Sequence, residues 1–237
     1  MFKDILAQAM QQANIALNEH QLMQFVLYEE MLLDWNRKMN LTALTEPKDI
    51  AVKHFVDSLT VWEEESFRDG TRVIDIGTGA GFPGLPLAIF RPTLRIVLMD
   101  SLAKRVKFLE AVVNELGLKN VTYVHSRAED AAHDSAYREQ FDVAVSRAVA
   151  RLSVLTEYTL PFICIGGVLL AMKGRDAAIE AKEAKCAISM LGGELLGLRT
   201  VHLPDLADER AILAVRKARP TPKAYPRKAG TPAKKPL

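Results

Sequence analysis

The chain has 237 residues, 49% hydrophobic and 25% charged, which suits one α/β domain with an appendage and a sizeable buried core. Cys164 and Cys186 match no C-x-x-C or zinc spacing, so disulfide-rich secreted and metal-site classes are unsupported and no metal is expected. The net charge of +2 hides a segregation: the 21 residues from Lys217 carry seven Lys or Arg and no acid, which leaves −5 on the preceding 216.

Residues 1–60 read as an N-terminal helical extension. MFKDILAQAM carries an acid at position 4 and no apolar signal core, so the expected location is the cytoplasm. A first amphipathic helix is predicted over Phe2–Leu17, and Asn18-x-x-Gln21 has the form of a capping box opening a second. In that second helix Leu22, Phe25, Val26, Leu32, Trp35 and Met39 recur at helical spacing, as in a helix packed on a main domain. Pro47 is placed to start a third, running to about Leu59. It holds Lys53, His54 and Asp57, with Lys53 and Asp57 one turn apart; a surface ion pair and a place in an active site both fit this spacing.

Residues 61–216 read as a Rossmann-like domain that begins on the stretch TRVIDIGTGAGFPG, Thr71–Gly84. Val73, Ile74 and Ile76 form a short β-branched run, and Gly77, Gly79 and Gly81 follow with one residue between each. Such glycines let the backbone turn and approach a ligand closely, and a helix beginning near Pro83 would aim free N–H groups at it. Two fingerprints overlap here. Gly79-x-Gly81-x-x-Gly84 satisfies the dinucleotide pattern, but that pattern expects its first glycine directly after the strand, where Gly77 stands. Asp75-x-Gly77-x-Gly79-x-Gly81 looks like motif I of class I S-adenosylmethionine-dependent methyltransferases.

The second strand, Leu94–Met99, closes on Asp100, where a carboxylate suits the ribose hydroxyls of either cofactor. A helix over Leu102–Leu116 buries Val106, Leu109 and Val113, and Gly117 stops it. Val121–Val124 is the third strand, leading to Ala128 and Glu129, which could hydrogen-bond an adenine edge or lie in a solvated acidic loop. Phe141–Val145 is the fourth, and Arg147 at its end faces an anion, either a cofactor carboxylate or an RNA phosphate. Gly167–Met172 is the fifth strand, followed by Lys173. The run Tyr158–Met172, uncharged but broken by Pro161, Gly166 and Gly167, is too short to span a bilayer, so no membrane partner is expected. A helix over Asp176–Met190 and a terminal antiparallel hairpin, Glu194–His202 and Arg210–Arg216 joined by Leu203–Glu209, complete a seven-stranded mixed sheet.

Residues 217–237, KARPTPKAYPRKAGTPAKKPL, form a basic, proline-rich tail. Five prolines and seven basic residues suit a segment that lies extended along the domain or reaches a polyanion, with Tyr225 able to stack on a base.

Several stretches together carry a resemblance: WNRKMNLTALTEP, VKHFVDSL, VIDIGTGAGFPGLPLAI, MDSLAKRVKFLE, SRAED, FDVAVSRAVA, AMKG and YPRKAGTPAKKPL. The chain resembles the RsmG family, also called GidB, the bacterial 16S ribosomal RNA guanine-N7 methyltransferases. The resemblance implies S-adenosyl-L-methionine as cofactor and, as partner, 16S rRNA or the small ribosomal subunit, with one loop guanine as target. It places Gly77, Phe82, Ala128, Glu129 and Arg147 in the cofactor site. Gly79 joins them through the glycine motif and Asp100 through its ribose chemistry. Lys53, Lys173, Arg227, Lys228, Lys234 and Lys235 are expected at RNA phosphates. No general base is expected, because guanine N7 has a lone pair and no proton, so that catalysis rests on placement. An NAD(P)-dependent oxidoreductase, a noncatalytic ribosome-binding protein and a small-molecule methyltransferase are the other readings.

Overall fold

A computed structural model describes residues 1–206 and 209–237. The chain opens with α1 (Phe2–Gln12) and α2 (Glu19–Met39). Helix α1 is shorter than its amphipathic pattern, because Asn14 turns into positive φ and ends it. The capping box forms as written: Gln21 N donates to Asn18 Oδ1 at 2.9 Å, and Asn18 N donates to Gln21 Oε1 at 3.0 Å. The helix from Pro47 is continuous to Leu59 but not uniform. Between α3 (Pro47–Asp49) and α4 (Asp57–Leu59), residues Ile50–Val56 are π-helical.

Seven strands follow: β1 (Arg72–Ile76), β2 (Arg95–Asp100), β3 (Val121–His125), β4 (Phe141–Arg147), β5 (Ile163–Lys173), β6 (Gly193–Val201) and β7 (Arg210–Lys217). Their order in the sheet is β3-β2-β1-β4-β5-β7-β6. The first five are parallel, while β7 runs antiparallel to both β5 and β6, giving the mixed sheet and terminal hairpin expected from the sequence. Part of the expected Leu203–Glu209 connection, Ala207 and Asp208, lies outside the described residues. The connecting helices are α5 (Gly84–Phe90), α6 (Ala103–Glu115), α7 (Ala128–Ala131), α8 (Leu152–Thr159), α9 (Ala177–Glu183) and α10 (Lys185–Met190), with α11 (Thr231–Lys234) in the tail.

Several local expectations are corrected. In α6, Phe108 and Val112 are buried beside Leu109 and Val113, while Val106 is only half-buried. Strand β5 starts at Ile163, because Gly166, at φ +90°, is absorbed within the strand rather than ending it. The single helix over 176–190 is broken at Ala184 into α9 and α10. Helix α8 is not announced by the periodicity of the sequence. It buries Thr156, Glu157 and Thr159 among its leucines, so it lacks the polar face that periodicity looks for.

Core on one face of the sheet joins Phe25, Leu32 and Phe55 of the N-terminal helices to Val73, Leu98 and Phe108. The helices of residues 1–60 therefore share a core with the sheet. No helix among the described residues is long and apolar enough to cross a membrane.

Candidate functional site

Strand β1 pairs with β2 on one side and β4 on the other, and the chain order reverses between β1 and β4. The crevice at the carboxyl ends of these strands is where open α/β sheets bind ligands. The glycine turn sits there and is held from three directions. Gly77 N and Thr78 N both donate to Met99 O, at 2.9 and 3.1 Å. Asp100, buried at the end of β2, accepts from Gly79 N and Leu102 N, each at 2.9 Å, and Arg105 Nη1 lies 3.3 Å from its Oδ2. Asp75, inside β1, accepts from Thr78 Oγ1 at 2.6 Å and Gly84 N at 2.8 Å.

Asp75 is buried, and its Oδ1 has no hydrogen-bond partner among the described residues. Burial pushes its carboxyl up to about 7, opposed by the bonds from Thr78 and Gly84. Gly84 is glycine for lack of room: a Cβ there would stand 2.3 Å from Leu98 Cδ2 and 2.9 Å from Asp75 Oδ2. Gly79 is the opposite case. At φ +63°, a Cβ on it would meet nothing within 4 Å, so this backbone faces open space above the turn.

The N-terminal helices wall the turn. Tyr28 of α2 donates its hydroxyl to Ala80 O and stacks on Phe82, centroids 5.5 Å apart. His54 stacks on Phe82 at 4.4 Å and 15°, and the Arg147 guanidinium carbon lies 4.8 Å from the same ring. Phe82 is thus sandwiched by aromatic rings, a residue of the turn and of the core together.

Arg147 is gripped by the helical segment opposite. Nη1 donates to Lys53 O at 2.9 Å and to Asp57 Oδ2 at 2.8 Å, while Nη2 lies 3.2 Å from His54 Nδ1. The π-helical stretch makes this possible. Asp57 N–H bonds back to Val52 O and His54 O, skipping the Lys53 carbonyl an α-helix would use, and Lys53 O is left for Arg147. Because a guanidinium only donates, His54 Nδ1 must accept, which assigns the proton to Nε2, 2.7 Å from Thr42 Oγ1. Burial, and then the Arg147 charge, lower the His54 imidazole to about 3, so it stays neutral.

The residues singled out from sequence fall into groups. Gly77, Gly79, Phe82, Asp100 and Arg147 come together around the turn. Ala128 and Glu129 start α7 beyond β3, with Glu129 buried. Lys53 pairs with Asp49 at 2.8 Å rather than with Asp57. Lys173 donates to Ala150 O and pairs with Glu180 Oε2 at 2.8 Å, and Glu180 also accepts from Leu152 N at 2.7 Å, so this lysine braces the loop after β4. Arg227 pairs with the buried Glu157 at 2.6 Å. Lys228, Lys234 and Lys235 are exposed. Sequence reasoning missed Tyr28, a polar-tipped aromatic within an apolar stripe, and Val149, whose Cγ2 would be 2.6 Å from a Cβ on Gly77.

A cavity of about 670 Å³ opens on the β5 side of Arg147, lined among others by His54, Asp57, Val149, Lys173, Arg210 and Ile212. It lies beside the glycine turn rather than over it.

The family model described as "rRNA small subunit methyltransferase G" matches residues 21–211. The chain belongs to the GidB family. A GidB relative from Desulfitobacterium hafniense, named "Ribosomal RNA small subunit methyltransferase G", is 52% identical over 227 residues, 96% of this chain and 94% of its own. Another of the same name, from Desulforamulus reducens, is 47% identical over 98% of this chain and 97% of its own. That second alignment extends GidB similarity past residue 211, where the family model ends, into the tail. Among solved structures, P. horikoshii TYW2 in complex with MeSAdo aligns with a TM-score of 0.54 at 14% identity, covering 69% of this chain and 62% of its own, a likeness of fold.

Proposed function

We propose that this chain transfers a methyl group from S-adenosylmethionine to N7 of a guanine in small-subunit ribosomal RNA. The observation that carries the reading is the D-x-G-x-G-x-G turn at the carboxyl end of β1, with open space over Gly79, in a chain of the GidB family. The residues present fit the cofactor. Open backbone at Gly79 admits it, buried Asp100 fixes the turn beneath, and Phe82 with Arg147 closes one side. Bound S-adenosylmethionine would supply a methyl group on a sulfonium. The Arg147 charge is matched by Asp57, so a cationic methyl donor meets a neutral pair rather than a lone guanidinium.

The cavity beyond Arg147 is the place for the acceptor. Its ≈ 670 Å³ lies in the range of small-ligand sites, and its wall shares Arg147 and Val149 with the turn. Guanine N7 carries an in-plane lone pair, so the walls need only orient the ring and exclude water. Exposed Lys228, Lys234 and Lys235 remain for RNA phosphates, whereas Lys53, Lys173 and Arg227 are engaged within the protein. We read the chain as helices 1–60 and a Rossmann-like unit 61–216 bound by the tail 217–237.

Calorimetry with S-adenosylmethionine and with NAD separates this reading from an oxidoreductase. Saturable binding of the first and none of the second is expected; preference for NAD would overturn the reading.

A further inference from the structure

The tail does not run free. Lys217 is fully buried at the end of β7, its ammonium donating to Leu160 O and to Thr221 Oγ1 at 2.7 Å and lying 3.1 Å from Glu139 Oε1. Arg138 then holds the carbonyls of Thr221 and Tyr225, at 2.9 and 3.0 Å. Arg227 follows and closes on Glu157, which is buried in α8. Its Nε and backbone N–H donate to Glu157 Oε1 at 2.9 and 2.8 Å, and its Nη2 to Oε2 at 2.6 Å. Three residues on, Gly230 N–H donates to Glu129 Oε1 at 2.9 Å, from a backbone at φ +79°.

Two buried carboxylates, on α7 and α8, thus take their hydrogen bonds among the described residues from the tail. Leu237 and Tyr225 pack into the same apolar cluster as Ala128 and Tyr158. A buried carboxylate without a donor turns toward water or takes up a proton. Turning takes the acceptor away, and protonation weakens it, at the end of the crevice where an adenine amino group would lie.

We propose that residues 225–237 are a clasp for the adenine end of the cofactor pocket, with Arg227 pinning the segment to α8 and Gly230 positioning the carboxylate of Glu129. This rests on the reading that the crevice takes S-adenosylmethionine. Arg227 and Gly230 are positioning residues, because they act through Glu129. The basic composition of the tail is therefore divided: Arg227 faces inward onto a buried acid, while Lys228, Lys234 and Lys235 face outward. Coupling of this kind is reciprocal, so bound cofactor must also hold the clasp closed.

The test uses the full chain. Amide hydrogen exchange across residues 225–235 is followed with and without saturating S-adenosylmethionine. At least fivefold slower exchange is expected with S-adenosylmethionine, or with adenosine if only that binds; an unchanged rate with the ligand bound would overturn the clasp. Gly230→Val leaves Arg227 and Glu157 untouched, and its Cβ would meet nothing within 4 Å, but it disfavours the φ that aims the N–H at Glu129. It is expected to weaken adenosine and S-adenosylmethionine by the same tenfold or more, with an unchanged melting temperature of the free protein beyond the strain of one residue. Equal affinity in parent and variant would contradict the proposal. Arg227→Gln is expected to lose tenfold likewise, and adding Glu157→Gln, which removes the stranded charge, to recover most of it. If the parent chain binds adenosine but not S-adenosylmethionine, the functional reading fails and the clasp stands; if it binds neither, both fail.

Discussion

At the scale of single residues, a Cβ on Gly77, Gly81 or Gly84 of the turn would stand within 3 Å of a neighbour, while one on Gly79 would meet nothing. Within the turn it is Gly79 whose missing side chain leaves open space, so Gly79→Ala tests where the ligand lies. The substitution should cost about 1 kcal/mol of stability through its positive φ, while S-adenosylmethionine affinity drops tenfold or more. A melting curve and a calorimetric titration read the two, and retained affinity would place the ligand elsewhere. Asp75 adds a pH dependence. Its folded carboxyl, at about 7, is raised above the ordinary 3.8, so between those values the native state holds a proton that the unfolded chain does not. The stability this contributes is complete below pH 4 and is lost as pH rises through 7. His54 acts with the opposite sign but mainly below pH 6.5, because its folded value, about 3, is depressed. Between pH 6.5 and 7.5 the His54 contribution fades and Asp75 outweighs it, so that stability should fall by roughly 0.3 kcal/mol per pH unit. Asp75→Asn should abolish that fall in melts of the free protein, and a fall that survives would assign it to another group.

At the scale of elements, the joint between the N-terminal helical segment and β4 decides the shape of the crevice. The π-helical Ile50–Val56 releases Lys53 O and presents His54 and Asp57 together to Arg147. A double-mutant cycle on Asp57→Asn and Arg147→Met should return a coupling of about 1–3 kcal/mol, since both partners are shielded from solvent; additivity would make the pair incidental. The sequence was most legible where structure is local. The Asn18 capping box, the glycine turn and the hairpin are written in neighbouring residues. The π-helical stretch was not legible, because its freed carbonyl is satisfied by Arg147, 94 positions along the chain. Helix α8 escaped for a related reason: buried Glu157 looks like a surface acid until Arg227, 70 residues later, arrives to pair with it. Lys53 and Asp57, spaced for an ion pair with each other, each take a different partner.

At the scale of the molecule, both ends of the chain fasten segments that follow the carboxyl ends of parallel strands. Tyr28 of α2 holds Ala80 O in the glycine turn after β1, and Gly230 of the tail holds Glu129 on α7 after β3. A catalyst that relies on placement rather than on an acid or base needs such fastening, because misplacement of an in-line attack costs rate directly. Methyl transfer to small-subunit RNA is tested by offering labelled S-adenosylmethionine to small subunits from cells lacking this protein and mapping the modified base chemically. Label is expected at N7 of a single guanine in the small-subunit RNA, and Gly79→Ala should cut it about tenfold or more at subsaturating S-adenosylmethionine. Cofactor binding with no labelled RNA, or label spread over many sites, would contradict single-site methyl transfer.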